Sequence, residues 1–280
     1  MAQRTWFITG INSGFGRHLA EQLLERGDRV AGTVRKLDAV DDLKRAHGDL
    51  LWLAHLDVTD TDEVHAVVDR AFAELGSIDV VINNAGYGLM GPAEEFSDEQ
   101  VEHVLDTNLL GSIQVTRSAI PHLRAQGHGR IIQISTFGGL VAFPGGSMYH
   151  AGKWGIEGFT EALVGELAPF GIGVTLVEPG GARTNFRYGS SRLGTEIEAY
   201  RGTPGGMARK MIEDATSVPI GDPAKMASII IASVDETPAP RRLVLGSDSY
   251  GFIHQALTDR LGALEAQKDL ALSTDFPEGE

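Results

Sequence analysis

Seven short runs rich in β-branched and other apolar residues alternate along this chain with longer stretches of helical periodicity, and few folds accommodate such a rhythm. The runs lie at about Thr5 to Thr9, Arg29 to Val34, Leu50 to Leu56, Asp79 to Asn83, Arg130 to Ser135, Gly173 to Glu178 and Arg242 to Leu245. Helices are predicted near Gly14 to Arg26, Asp38 to Ala46, Thr61 to Leu75, Ser97 to Arg124, Met148 to Ala168 and Pro223 to Val234. Regular succession of strand and helix predicts parallel strands joined by right-handed crossovers. The expected fold class is therefore α/β, one doubly wound parallel sheet of about seven strands with helices on both faces.

Two regions break the rhythm. Gly180 to Ser217 carries many glycines with interspersed Tyr, Phe and Met; with no strand predicted over so long a stretch, it reads as a lid. From Asp248 the chain reads as one helix through His254, Leu257, Leu261 and Leu264, then an acidic end. The expected organisation is residues 1–247 as one domain, including a lid at about 180–217, followed by a C-terminal helix and acidic tail over 248–280. No internal repeat or linker divides the chain.

Composition narrows the function. With 24 Lys and Arg against 38 Asp and Glu, the formal charge is -14, which disfavours nucleic acid as a partner. Hydrophobic residues at 42% and charged residues at 22% supply a large core. Cys is absent, so disulfides and thiolate metal sites are excluded, and no metal is expected. The N-terminus lacks a signal-like apolar stretch, and the run from Ile229 to Val234 is too short to span a bilayer. No membrane association is expected, and a cytoplasmic location is.

Glycine is the compositional outlier, 35 in 280 residues against an average near ~7%. The first strand runs into Thr9-Gly10-Ile11-Asn12-Ser13-Gly14-Phe15-Gly16 and then a helix. Glycines here let the backbone approach a pyrophosphate, and a helix N-terminus offers it free amides and a positive dipole end. The spacing departs from the common Gly-x-Gly-x-x-Gly fingerprint. A glycine turn with no ligand is the competing reading at this point. At the end of the second strand, an NAD enzyme places a carboxylate on the ribose hydroxyls. Here Arg35 and Lys36 stand instead, and a guanidinium suits a 2′-phosphate bidentately, so NADP (NADPH) is the expected cofactor. Further on, Tyr149 and Lys153 are one helical turn apart. A neighbouring ammonium is expected to lower the phenol pKa and make it a usable proton donor and acceptor.

Taken together, the chain resembles the classical short-chain dehydrogenases/reductases over about Thr5 to Leu245. The matching motifs are Thr9-Gly10-x3-Gly14-x-Gly16, Asp57, Asn83-Asn84-Ala85-Gly86, Asn108, Tyr149-x3-Lys153 and Pro179-Gly180-x3-Thr184. The resemblance implies one Rossmann-type domain with its site at the carboxyl ends of the strands. It implies that Tyr149 exchanges a proton with the substrate oxygen. Lys153 would hold the nicotinamide ribose and tune Tyr149, and Asn108 would hold a water in the relay that refills Lys153. The turn Thr9 to Gly16, with Ile11, Asn12, Ser13 and Phe15 inside it, would bind the pyrophosphate. Asp57 and Val58 would meet the adenine; Asn84, Ala85 and Gly86 would line the adenosine side. Pro179, Gly180 and Thr184 would border the nicotinamide. A homodimer or homotetramer is also implied.

Two departures stand out. The family's substrate-orienting Ser falls at Thr136, 13 residues before Tyr149, with Ser135 as a less favoured substitute. Thr keeps the hydroxyl but adds a methyl group. Gly152 replaces a second Ser within the Tyr-Lys motif.

The leading reading is an NADP(H)-dependent oxidoreductase moving a hydride between the nicotinamide and a ketone, aldehyde or alcohol. The alternative is a non-catalytic NADP(H) sensor on the same fold. A hydrolase is excluded because Gly145-Gly146-Ser147-Met148-Tyr149 is not a nucleophile elbow. Phe186, Tyr188, Leu193, Tyr200 and Met207 either line a moderately apolar pocket or pack the lid onto the core. The nine His are expected on the surface or in packing roles.

Overall fold

The computed structural model describes residues 2–214, 216 and 218–276, without the side chains of Arg187 and Tyr188. Among these residues, seven strands form one parallel sheet: β1 (Thr5–Thr9), β2 (Arg29–Val34), β3 (Leu51–His55), β4 (Val80–Asn83), β6 (Gly129–Ile134), β7 (Ile172–Pro179) and β9 (Arg242–Leu245). Their order across the sheet is β3-β2-β1-β4-β6-β7-β9. The order reverses between β1 and β4, and the crevice at the carboxyl ends of these strands is where doubly wound sheets bind ligands.

Continuous apolar runs are required because both faces are covered. Trp6 and Ile8 of β1 face one core with Leu19 and Leu23 of α1 (Gly14–Glu25), Leu43 of α2 (Asp41–His47) and Ile230 of α8 (Pro223–Ala232). Phe7 faces the other, with Val64 of α3 (Thr61–Leu75), Val115 of α5 (Gly111–Gln126) and Leu163 of α6 (Ser147–Leu167).

The fold departs from expectation in three places. The helix predicted from Ser97 to Arg124 is α4 (Asp98–Leu105), a wide π turn over Asp106–Leu110, then α5. Ser97 is its cap, its hydroxyl accepting from Gln100 N at 3.3 Å while the Gln100 side chain accepts from Ser97 N at 3.1 Å. The segment expected as a strandless lid does contain a strand: β8 (Ser191–Leu193) pairs in parallel with β5 (Gly88–Met90), and α7 (Pro204–Glu213) follows. Each of these strands has three residues, too short to show periodicity. This segment is pinned by buried Glu95, which accepts from Arg209 Nη2 at 2.8 Å and Ile197 N at 3.1 Å. The tail forms two helices, α9 (Ser247–Glu265) and α10 (Lys268–Leu272). The start of α9 is built into the sheet: Asp248 accepts from Gly181 N at 2.7 Å, and Ser249 Oγ donates to Glu178 O at 2.7 Å. No described helix is long and apolar enough to cross a membrane.

Candidate active site

Backbone geometry explains the first glycines. Gly10 and Gly14 have φ of 74° and 56°, a region side chains disfavour. Gly16 is required by space: a Cβ there would lie 2.3 Å from Gly10 O and 2.5 Å from Asn84 Nδ2. The turn is locked from β4. Thr9 Oγ1 accepts from the N–H groups of Asn84 and Ala85, both at 3.0 Å, and Asn84 Nδ2 donates to Thr9 O at 2.8 Å and Gly10 O at 3.0 Å. Asn84 thus shapes the turn through its side chain. Gly16→Ala is expected to destabilise the protein by ~1–3 kcal/mol, measured by urea denaturation.

The other positions in the turn differ. Ile11 is fully buried with its side chain packed on Gly32, so it does not open to the crevice, and half-buried Phe15 rests against the core. Asn12 is exposed, and Ser13, the N-cap of α1, makes no side-chain capping bond. Arg35 and Lys36 are exposed at the carboxyl end of β2. Asp57 follows β3; burial acts to raise its pKa, but hydrogen bonds from Thr59 N at 3.0 Å and Thr59 Oγ1 at 2.8 Å, helped by the charge of Arg35, hold it below the usual value. Val58 is buried, and its carbonyl lies against Gly111, where a Cβ would come within 2.7 Å.

Asn108 lies in the π turn and is buried. Its Oδ1 accepts from Tyr87 N at 2.9 Å and its Nδ2 donates to Tyr87 O at 2.7 Å. Gly86 sits beside it: a Cβ there would lie 3.1 Å from Asn108 Oδ1 and 3.9 Å from Lys153 Nζ. Wide turns inside helices are frequent at functional sites. The amide of Asn108 therefore spends one donor and one acceptor holding the loop after β4.

Tyr149 and Lys153 are buried on the first turns of α6. Lys153 Nζ donates to Ile134 O at 3.0 Å and lies 6.0 Å from the centre of the Tyr149 ring. Burial pushes the ammonium down to about 8, with the charge of Glu157 acting upward. Burial raises the Tyr149 phenol above its ordinary value, opposed by a hydrogen bond with Thr136. This corrects the expectation that the ammonium lowers the phenol: burial outweighs every opposing influence. Thr136 Oγ1 also accepts from Gly138 N at 3.3 Å and donates to Pro179 O at 3.4 Å. Ser135 turns to the opposite side, toward Gly139, and its buried Oγ finds no hydrogen-bond partner among the described residues.

The loop after β7 closes over the glycine turn: a Cβ at Gly14 would lie 3.7 Å from Thr184 Cβ. Gly180 N donates to Leu245 O at 2.7 Å. In the segment after β7, Phe186 stands beside Tyr149, ring centres 5.9 Å apart. Tyr200 donates to Glu94 at 2.8 Å, Leu193 is half-buried in β8, and Met207 is exposed. The Tyr188 side chain lies outside the described residues.

Two groups near Tyr149 escaped the sequence reading. Phe137, Phe143 and Phe252 form a cluster with ring centres 5.3 to 5.8 Å apart. His150 joins the loop between β6 and α6, its Nδ1 bonded to Gly138 O at 2.8 Å and its Nε2 accepting from Phe143 N at 3.2 Å. Only adjacency to Thr136 and Tyr149 pointed to Phe137 and His150, and nothing local pointed to Phe143 or Phe252.

The short chain dehydrogenase family profile matches residues 4–192. The chain therefore belongs to the short-chain dehydrogenase/reductase family of oxidoreductases, as its sheet and glycine turn indicate. It is 35% identical over 272 residues to the oxidoreductase BOA17 of Botryotinia fuckeliana, spanning 97% of this chain and 99% of that one. A short-chain dehydrogenase from Streptomyces avermitilis superposes with a TM-score of 0.91 at 36% identity, covering 99% of this chain and 100% of that chain. A short chain dehydrogenase/reductase from Burkholderia phymatum in complex with NAD shares the fold, with a TM-score of 0.77, 22% identity and coverage of 99% and 98%. Other structures of this fold hold NADP. The crevice fits a dinucleotide: it has a glycine turn with no Cβ in the way, a helix N-terminus behind it, and exposed cations at the end of β2.

Proposed function

We propose that this protein is an NADP(H)-dependent oxidoreductase that interconverts a ketone or aldehyde with an alcohol, with Tyr149 as the acid and base. The observation that carries this reading is the buried grouping of the Tyr149 phenol, the Thr136 hydroxyl and the Lys153 ammonium at the carboxyl ends of the strands. When bound, the nicotinamide supplies or accepts the hydride. The turn from Thr9 to Gly16 would take the pyrophosphate, chiefly through backbone amides. Asp57 and Val58 would meet the adenine, Asn84 to Gly86 the adenosine side, and Pro179, Gly180 and Thr184 the nicotinamide.

In reduction, Tyr149 gives its proton to the carbonyl oxygen; in oxidation it takes the alcohol proton. Burial keeps the phenol protonated until charge develops on the substrate oxygen, so it serves as a donor at neutral pH. Thr136 supplies a second hydroxyl toward that oxygen. Lys153 uses one N–H on Ile134 O, leaving two for the ribose, and its charge stabilises the phenolate. Asn108 positions the loop beside Lys153, and its remaining N–H is available to a relay water.

The cofactor preference is tested by titrating NADPH and NADH. The unmodified protein is expected to bind NADPH at least ~10-fold more tightly, and Arg35→Asp to abolish or reverse this, because a carboxylate repels the 2′-phosphate. Equal affinities in the unmodified protein would remove the NADP assignment.

A further inference from the structure

Between α6, β7 and β9 lies a buried polar cluster that the proposed reaction does not use. Glu178 of β7 is 0% exposed and Glu157 of α6 is 4% exposed. Arg242 of β9 serves both: its Nη1 donates to Glu157 Oε2 at 2.7 Å and to Glu178 Oε1, while Nη2 reaches Glu161 at 2.8 Å. The remaining oxygens, Glu157 Oε1 and Glu178 Oε2, are buried and find no donor among the described residues, nor does Ser135 Oγ. Gly139 keeps this space open, since a Cβ there would lie 2.5 Å from Glu157 Oε1 and 2.8 Å from Ser135 Oγ. Two ionised carboxylates against one guanidinium, itself shared with Glu161, would leave excess negative charge away from water. A single proton removes that charge and gives a bare oxygen a donor.

We propose that Glu157 and Glu178 share one proton on the oxygens Arg242 leaves free, that Glu178 carries it, and that ionised Glu157, one helical turn from Lys153, is a positioning residue that keeps Lys153 an ammonium. The second part rests on the role of Lys153 proposed above; the first stands without it. Burial, followed by the charge of Glu157, raises the Glu178 carboxyl to about 7. Glu157 is also the group that opposes the fall of Lys153. The other charged groups that meet the pair among the described residues are Arg242 and, through it, Glu161 at the surface of α6; Asp248 of α9 is instead taken by the N–H groups of Gly181 and Ser249.

The sign of the pH effect follows from the raised folded-state value. Stabilisation by a protonated Glu178 is complete below the ordinary carboxylate pKa and is lost as pH rises through about 7. The test uses the full chain with thermal unfolding from pH 5 to 8, and ¹³C NMR titration of labelled lysine with Lys153 assigned by Lys153→Arg. In the unmodified protein Tm is expected to fall over this range. Glu178→Gln, whose amide supplies the missing donor, should flatten the profile and leave the Lys153 midpoint unchanged. Glu157→Gln should lower that midpoint by about one pH unit, a ~10-fold change in proton affinity. A flat Tm profile in the unmodified protein overturns the shared proton, and an unmoved Lys153 midpoint in Glu157→Gln overturns the coupling. If Glu157→Gln does not fold, Glu157→Asp decides: the shorter side chain draws the carboxylate away from Lys153, and an unmoved Lys153 midpoint overturns the coupling. Neither readout needs turnover, so an inactive protein would end the proposed function without touching this test.

Discussion

Tyr149→Phe is expected to lower kcat by ~1,000-fold while leaving the NADPH dissociation constant within about twofold, the pattern of a lost general acid with the binding surface intact. The ring is buried on α6 and packs near Phe186, contacts that phenylalanine keeps. What is removed is the hydroxyl that bonds Thr136 and would meet the substrate oxygen. Single-turnover reduction with saturating NADPH separates this loss from slow product release. A variant with near-normal kcat would remove Tyr149 from the chemistry.

The second large effect concerns Thr136. Its hydroxyl is on the Tyr149 side, whereas Ser135 opens toward Glu157 and Gly139. Thr136→Ala is expected to lower kcat by ~100-fold, as for removal of one donor to developing charge. Thr136→Ser should stay active and accept bulkier ketones, because only a methyl is removed. Ser135→Ala should leave kcat within about twofold, since its hydroxyl has no partner to lose. A large loss in Ser135→Ala with an active Thr136→Ala would move the role by one residue.

Much of the architecture was legible because the physics is local. Strands buried on both faces must be written as unbroken apolar runs, as in Trp6-Phe7-Ile8 and Val80-Val81-Ile82. The glycine turn announced itself because Gly10 and Gly14 need positive φ and Gly16 has no room for a side chain. The opposite facing of Ser135 and Thr136 follows from alternation carried in extended backbone past the end of β6, where Ser135 N still donates to Val177 O at 2.8 Å.

What escaped depends on contacts between distant segments. The π turn at Asn108 exists because Tyr87, on another loop, pairs with its amide. Pairing of β5 with β8 joins Gly88 to Ser191, segments far apart along the chain that form a small sheet of their own. The fall in Tyr149 pKa expected from the Tyr-Lys spacing did not survive burial, which spacing alone does not reveal. Glu178 offered a missed signal: a carboxylate within the apolar run Val174-Thr175-Leu176-Val177 demands a buried partner, and Arg242 provides it.

The most direct test of the account is NADPH consumption, followed by nicotinamide absorbance, with a panel of ketones and aldehydes after NADPH binding has been established in the same preparation. At least one carbonyl is expected to be reduced, with one alcohol formed per NADPH oxidised. NADPH bound tightly but never consumed across the panel, or by the corresponding alcohols with NADP, would contradict it and identify a sensor.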